Sequence, residues 1–269
     1  MTLARSTVVA VAVFLASAAV VVAWCASMAA APMRMAGGRT MSMAWMRMAD
    51  QSWPGACASF LAMWTAMMVA MMTPSFARMA HRWRRSVVRA GGRAAGAAGA
   101  TGAAGSVPAR HLIAVLAAGY LAVWTLVGVV LYPAGVALAA AEMRWPALAA
   151  QIPLASAVVV VAAGCVELTP WKARQIWCCK DAPCCRVARP ADARRAWRDG
   201  LALGRHCALC CAPLMAILVV AGVMDLGAMA LVTAAITYER YAVDPTRSAR
   251  VVGVLAIAIG VAWACVSSR

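Results

Sequence analysis

Charge of one sign is what this chain has least of: nine Asp and Glu stand against 25 Lys and Arg, for a net charge of +16. Histidine and phenylalanine occur three times each and tyrosine four times. No Walker loop and no Asp-Lys-Thr-Gly phosphorylation motif is visible, which argues against an ATP-driven pump, and no quinone or haem pattern accompanies the cysteines. Only 13% of the residues are charged, while 65% are hydrophobic and mean hydropathy is +0.80. No soluble core needs that much apolar residue, so the composition places the chain in the membrane class, with the lipid bilayer as its surroundings. In a soluble protein the basic excess would point to nucleic acid. Here Lys and Arg fall between apolar runs, so they read as topology signals and no nucleic-acid partner is expected.

The apolar runs predict an all-α fold, a polytopic transmembrane helix bundle of six to seven spans. They lie at residues 8–30, 56–76, 111–131, 152–168, 206–223, 226–238 and 251–266, and the last two are short for a bilayer. The first run outlasts a signal-peptide core, so residues 1–31 read as an N-terminal transmembrane anchor. Pro74 is expected to end the second span, and Tyr132 with Pro133 the third. Residues 32–55 form a predicted periplasmic Met-rich loop, with Met33, Met35, Met41, Met43, Met46 and Met48 in Met-x-Met pairs. Residues 56–269 form the predicted metal-binding bundle, with basic cytoplasmic loops at 77–110 and 171–205. Between residues 90 and 105 an Ala/Gly stretch reads as a flexible linker.

A cytoplasmic N terminus leaves only Arg34, Arg39, Arg47, Arg144 and Arg269, of 25 basic residues, outside. By the positive-inside rule the expected location is therefore a bacterial inner membrane, crossed several times, with the N terminus in the cytoplasm. In that orientation the inner half of the second span, the end of the fourth, the start of the fifth and the end of the sixth meet at one depth.

Sulfur collects there. At about 100° per residue Cys207, Cys211 and Met215 share one helical face with Cys210 beside them, and Met67 and Met71 share a face of the second span. Glu167 and Glu239 arrive at the same boundary, Glu167 as a charge partner. Thiolate and thioether sulfur favour Cu(I); zinc tolerates thiolate and is the second choice, whereas Mg(II) and Ca(II) want oxygen. In the second basic loop Cys178, Cys179, Cys184 and Cys185 have a knuckle-like spacing, looser than the Cys-x2-Cys of zinc sites. Against these ligand readings stands plain packing, since Cys and Met are ordinary buried residues. Asp225 at a tight turn is expected to cap a helix, and Trp145 to be interfacial.

The chain resembles a family of bacterial predicted metal-binding integral membrane proteins. The likeness rests on Trp53, Met63-Trp64-x2-Met67-Met68 through Met71-Met72-x-Pro74, and Leu168-Thr169-Pro170-x-Lys172 followed by loop cysteines. It continues in Gly204-x2-Cys207-x2-Cys210-Cys211-x3-Met215, Gly222-x-Met224 and Glu239. The chain departs from the family pattern in having Leu203 where His often precedes the glycine, Glu167 where Gln is common, and a wider cysteine spacing in the loop. The resemblance implies a metal-related membrane role without a defined reaction. The function expected is binding, and transfer between a metal-donor and a metal-acceptor protein, of a soft ion such as Cu(I). Two other classes fit the sequence: a thiol redox membrane protein using Cys207-x2-Cys210, and a structural or assembly subunit without metal.

Overall fold

The computed structural model of the protein describes residues 3–29, 45, 51–98, 109–181 and 192–267. Among them there is no strand, and eight helices follow one another: α1 (Leu3–Ala29), α2 (Trp53–Ala98), α3 (Ala109–Arg144), α4 (Pro146–Glu167), α5 (Pro170–Asp181), α6 (Ala193–Ala221), α7 (Leu226–Tyr241) and α8 (Pro245–Ser267). Six of these, all but α5 and α7, are long and apolar enough to cross a membrane. α7 has 16 residues, which at 1.5 Å per residue is about 24 Å, short of the ~30 Å hydrocarbon layer.

Two expected ends are overridden. α2 continues through Pro74 to Ala98 and α3 through Pro133 to Arg144. Proline removes one backbone donor, yet helices of apolar bundles tolerate it where neighbouring groups satisfy the freed carbonyl. At about 69 Å, α2 is more than twice the thickness of a hydrocarbon layer, so a bilayer can cover only part of it. Residues 90–98 of the expected linker are the end of this helix, and much of the 171–205 stretch is likewise helical, in α5 and the first turns of α6. The methionine pairs at 33–48 lie outside the described residues.

Local chemistry explains where the helices begin. The Asp192 side chain accepts from Arg195 N at 2.7 Å and starts α6, and Asp225 accepts from Ala228 N at 2.7 Å and starts α7 as expected. Asp244 accepts from Thr246 N at 2.8 Å ahead of α8, with Pro245 in the first turn. Between α6 and α7, Gly222 has φ of 121°, a region that side chains other than glycine rarely adopt. Leu168 and Thr169 alone join α4 to α5: the Thr169 hydroxyl accepts from Lys172 N at 3.3 Å, and Pro170 opens the new helix. Lys172 is thereby aimed back at the end of α4.

The most extensive helix pairs are α3 with α6 and α4 with α8. α3 and α6 approach to backbone contact at Gly119 and Gly200, where a Cβ built on Gly200 would lie 2.3 Å from the Leu116 carbonyl oxygen. Small residues at such crossings let helices touch without the hydrophobic drive that water supplies. The main core runs from α2 across α3 to α6 and α7, and includes Met63, Trp64, Met67, Met68, Met71, Met72 and Met79 of α2. Trp64 Nε1 donates to the Trp124 carbonyl at 2.8 Å, tying α2 to α3, and Trp83 Nε1 donates to Asp199 Oδ2 at 2.9 Å, tying α2 to α6. Trp145 is exposed, in keeping with an interfacial role.

Candidate metal centre

α6 carries Cys207 and Cys211 one turn apart, and their sulfurs lie 3.9 Å from each other, fully buried. Three further groups bear on them. The Tyr120 hydroxyl of α3 donates to Cys207 Sγ at 3.1 Å, and Arg240 Nη2 of α7 stands 3.4 Å from Cys207 Sγ and 3.4 Å from Cys211 Sγ. Two buried thiols thus share one guanidinium. α2 steadies the arrangement from behind, because Phe76 packs on the Tyr120 ring at 5.1 Å and Arg78 donates to the Arg240 carbonyl, itself at the end of α7. Arg78 also lies over the Tyr241 ring, and the Tyr241 hydroxyl donates to the Pro74 carbonyl at 3.2 Å. A side-chain donor on a terminal carbonyl is what a helix end requires, and here it pins the residue that faces the sulfurs.

Next to this pair sits a second buried polar cluster. Lys172 Nζ reaches Glu167 Oε1 at 2.5 Å, Glu239 Oε2 at 3.1 Å and the Cys210 carbonyl at 2.9 Å, and the three charged side chains are 0–3% exposed. Burial alone would lower the Lys172 pKa, but Glu239, Cys210 and Glu167 around the ammonium more than offset it and hold it above the ordinary 10.5. α7 therefore presents two consecutive buried charges, Glu239 to the lysine cluster and Arg240 to the thiols.

Of the expected ligands, Cys207 and Cys211 are brought together, and Met215, one turn further along α6, is buried in the same core as they are. Met67 and Met71 belong to that core too, exposed by 1% and 3%. Cys210 is buried but turns to a separate cluster with Ile176 of α5 and Ala249 of α8. Glu167, expected beside the metal ligands as a charge partner, pairs with Lys172. Cys178 and Cys179 lie on the α5 backbone, but their side chains, like Cys184 and Cys185 altogether, fall outside the described residues. Among the described residues no three His, Cys, Asp or Glu side chains form a metal-binding group.

Arg240, Lys172 and Tyr120 were not among the expected site residues. In the sequence both cations read as cytoplasmic boundary charge. The signal for Lys172 was present in Thr169-Pro170-x-Lys172, a cap followed by a first-turn proline that leaves the lysine five residues from Glu167. For Arg240 the hint was weaker: an apolar run that stops early on a Glu-Arg pair.

A pair of thiols 3.9 Å apart suits one soft ion. With metal–sulfur bonds of about 2.3 Å, two sulfurs on a common ion stand about 3.8 Å apart at a tetrahedral angle and about 4.0 Å apart at a trigonal one. Fold and site together define an all-helical protein with six potential membrane spans and a buried dithiol at the junction of α3, α6 and α7. Residues 61–263 match the PpoB2 copper chaperone family, and the chain belongs to that family. No curated protein and no solved structure matches it significantly.

Proposed function

We propose that this chain is a multi-pass membrane copper chaperone that takes Cu(I) as cargo on Cys207 and Cys211 and passes it to an acceptor protein. The observation that carries the proposal is the buried sulfur pair at 3.9 Å, in a chain of a copper chaperone family. No third His, Cys, Asp or Glu joins the pair among the described residues, so the ligand offered by the surrounding core is a thioether. Met215 on α6 and Met67 or Met71 on α2 are the candidates buried in the same core. Thioethers bind Cu(I) without losing a proton and cannot form disulfides, which suits a cargo route through apolar surroundings.

Loop charge supports an inner-membrane location with the N terminus in the cytoplasm, since just Arg34, Arg39, Arg47, Arg144 and Arg269 would lie outside. In that orientation Cys178 and Cys179, about two turns beyond Lys172 on α5, lie on the cytoplasmic side together with Cys184 and Cys185. We assign these four to hand-over rather than storage. The Met-rich segment at 32–55 lies outside, where thioethers outlast exposed thiols as a receiving surface.

The test is metal content after anaerobic purification from copper-supplemented cells. Wild type should carry about one copper per chain at the dithiol. Cys207→Ser with Cys211→Ser should remove it, because a hydroxyl is a harder ligand and is much less readily deprotonated. Met71→Leu should weaken retention while preserving insertion, and Met79→Leu with Cys265→Ser should change neither. A double cysteine variant that keeps its full copper would refute the site. Reversible disulfide turnover without bound metal would favour a redox role instead.

A further inference from the structure

The guanidinium against both sulfurs bears on which ions the site accepts. We infer that Arg240 makes the Cys207–Cys211 site selective for monovalent soft ions, Cu(I) or Ag(I), over divalent ones such as Zn(II) or Cd(II). The inference rests on the proposed dithiol site. Two thiolates with Cu(I) carry one net negative charge, which the single positive charge of Arg240 cancels. The same thiolates with Zn(II) are already neutral, so the guanidinium leaves the site one unit positive, in a place where Cys207 is 0% and Cys211 2% exposed.

Arg240 cannot readily escape this role. It is 5% exposed, its Nη2 lies at 3.4 Å from each sulfur, and Arg78 holds its carbonyl from α2. A guanidinium does not lose its proton in a protein, so the charge is permanent. The other charges nearby are Lys172 with Glu167 and Glu239, a group that is neutral when the two carboxyls hold one proton and one unit negative when they hold none, and the Tyr120 hydroxyl adds a dipole and no charge. Whatever proton the carboxyl pair carries, repulsion from Arg240 grows with the charge of the bound ion. For unit charges about 5 Å apart at an effective dielectric constant of about 20, one extra unit of ionic charge shifts affinity by about two orders of magnitude. Ligand softness sets the preference for copper within sulfur sites; Arg240 adds discrimination by charge.

The experiment compares Cu(I) and Zn(II) affinities by anaerobic chelator competition on detergent-solubilised full-length protein. Wild type, Arg240→Gln, Arg240→Lys and the double serine variant are measured side by side. In Arg240→Gln the ratio of Cu(I) to Zn(II) affinity should fall about a hundredfold, and Arg240→Lys, which keeps the charge, should hold most of it. An unchanged ratio in Arg240→Gln, with copper still lost in the double serine variant, overturns the selectivity role and leaves the dithiol site standing. Copper retained in the double serine variant overturns the site and the inference with it. Should Arg240→Gln fail to insert, wild type in equimolar competition decides: it should take up Ag(I) and leave Cd(II) in solution. Stoichiometric Cd(II) that disappears in the double serine variant overturns the proposal.

Discussion

Removing Lys172 should cost the protein more stability than almost any other single change. Glu167 and Glu239 share its ammonium, at 2.5 and 3.1 Å, with essentially no solvent on any partner. Lys172→Met keeps most of the volume but leaves two carboxyl groups facing each other and the Cys210 carbonyl without its side-chain donor. Breaking a buried ion pair from one side costs about 3 to 5 kcal/mol, because an uncompensated charge is left in a low dielectric. Replacing the whole set by neutral groups is often nearly free, so adding Glu167→Gln and Glu239→Gln to Lys172→Met should recover most of the loss. The assay is thermal melting of detergent-solubilised protein, followed by size-exclusion of the surviving fraction. The pH dependence has a definite sign. A lysine whose folded pKa lies above its ordinary 10.5 gives its full stabilisation below that value, and loses it only as pH rises through the higher folded pKa. Wild type should therefore keep the Lys172 contribution throughout the neutral and moderately alkaline range. A Lys172→Met protein that melts with wild type, or a triple variant no better than the single one, would show that the cluster is not the buried ionic unit described.

Two other outcomes are expected. Gly200→Ala should destabilise the α3–α6 pair by about 1 to 3 kcal/mol, since its Cβ would meet the Leu116 carbonyl oxygen at 2.3 Å and backbone must move; a melt unchanged from wild type would contradict the close crossing. A topology reporter fused after Ala98 should behave as cytoplasmic and one inserted near Arg39 as periplasmic, and the reverse pattern would invert the proposed copper route.

The helical class was legible because apolar runs near bilayer length leave few other folds, and the caps at Asp192 and Asp225 obey local rules. Helix ends were not legible at Pro74 and Pro133, because whether a proline stops a helix depends on what satisfies the freed carbonyl, and that is a tertiary matter. The basic stretches misled for a related reason. Arg and Ala are good helix formers, so a run of Arg-Arg-Ala-Trp after a capping aspartate continues a membrane helix beyond its apolar part. Charge alone says where a helix leaves the lipid, not where it ends.

For the site, one-dimensional spacing carried the cysteine pair and little else. Cys207 and Cys211 had to share a face at i and i+4, whereas Cys210, 100° away from Cys211, could have faced either neighbour and in fact faces α5 and α8. The groups that govern the chemistry of the pair come from other helices, and no spacing encodes them. Arg240 reaches the sulfurs because α7 is too short to carry it past the core and because Arg78 of α2 anchors the helix end there. A residue that topology counting spends on orientation thus also places its charge 3.4 Å from both sulfurs of the proposed copper site. On the selectivity proposed for Arg240, the ligand type is written in the sequence, whereas the valence accepted depends on a cation delivered from elsewhere in the fold. That is why an arginine at the end of a short helix, and not a further cysteine, is the residue whose replacement should most change which metal this chain carries.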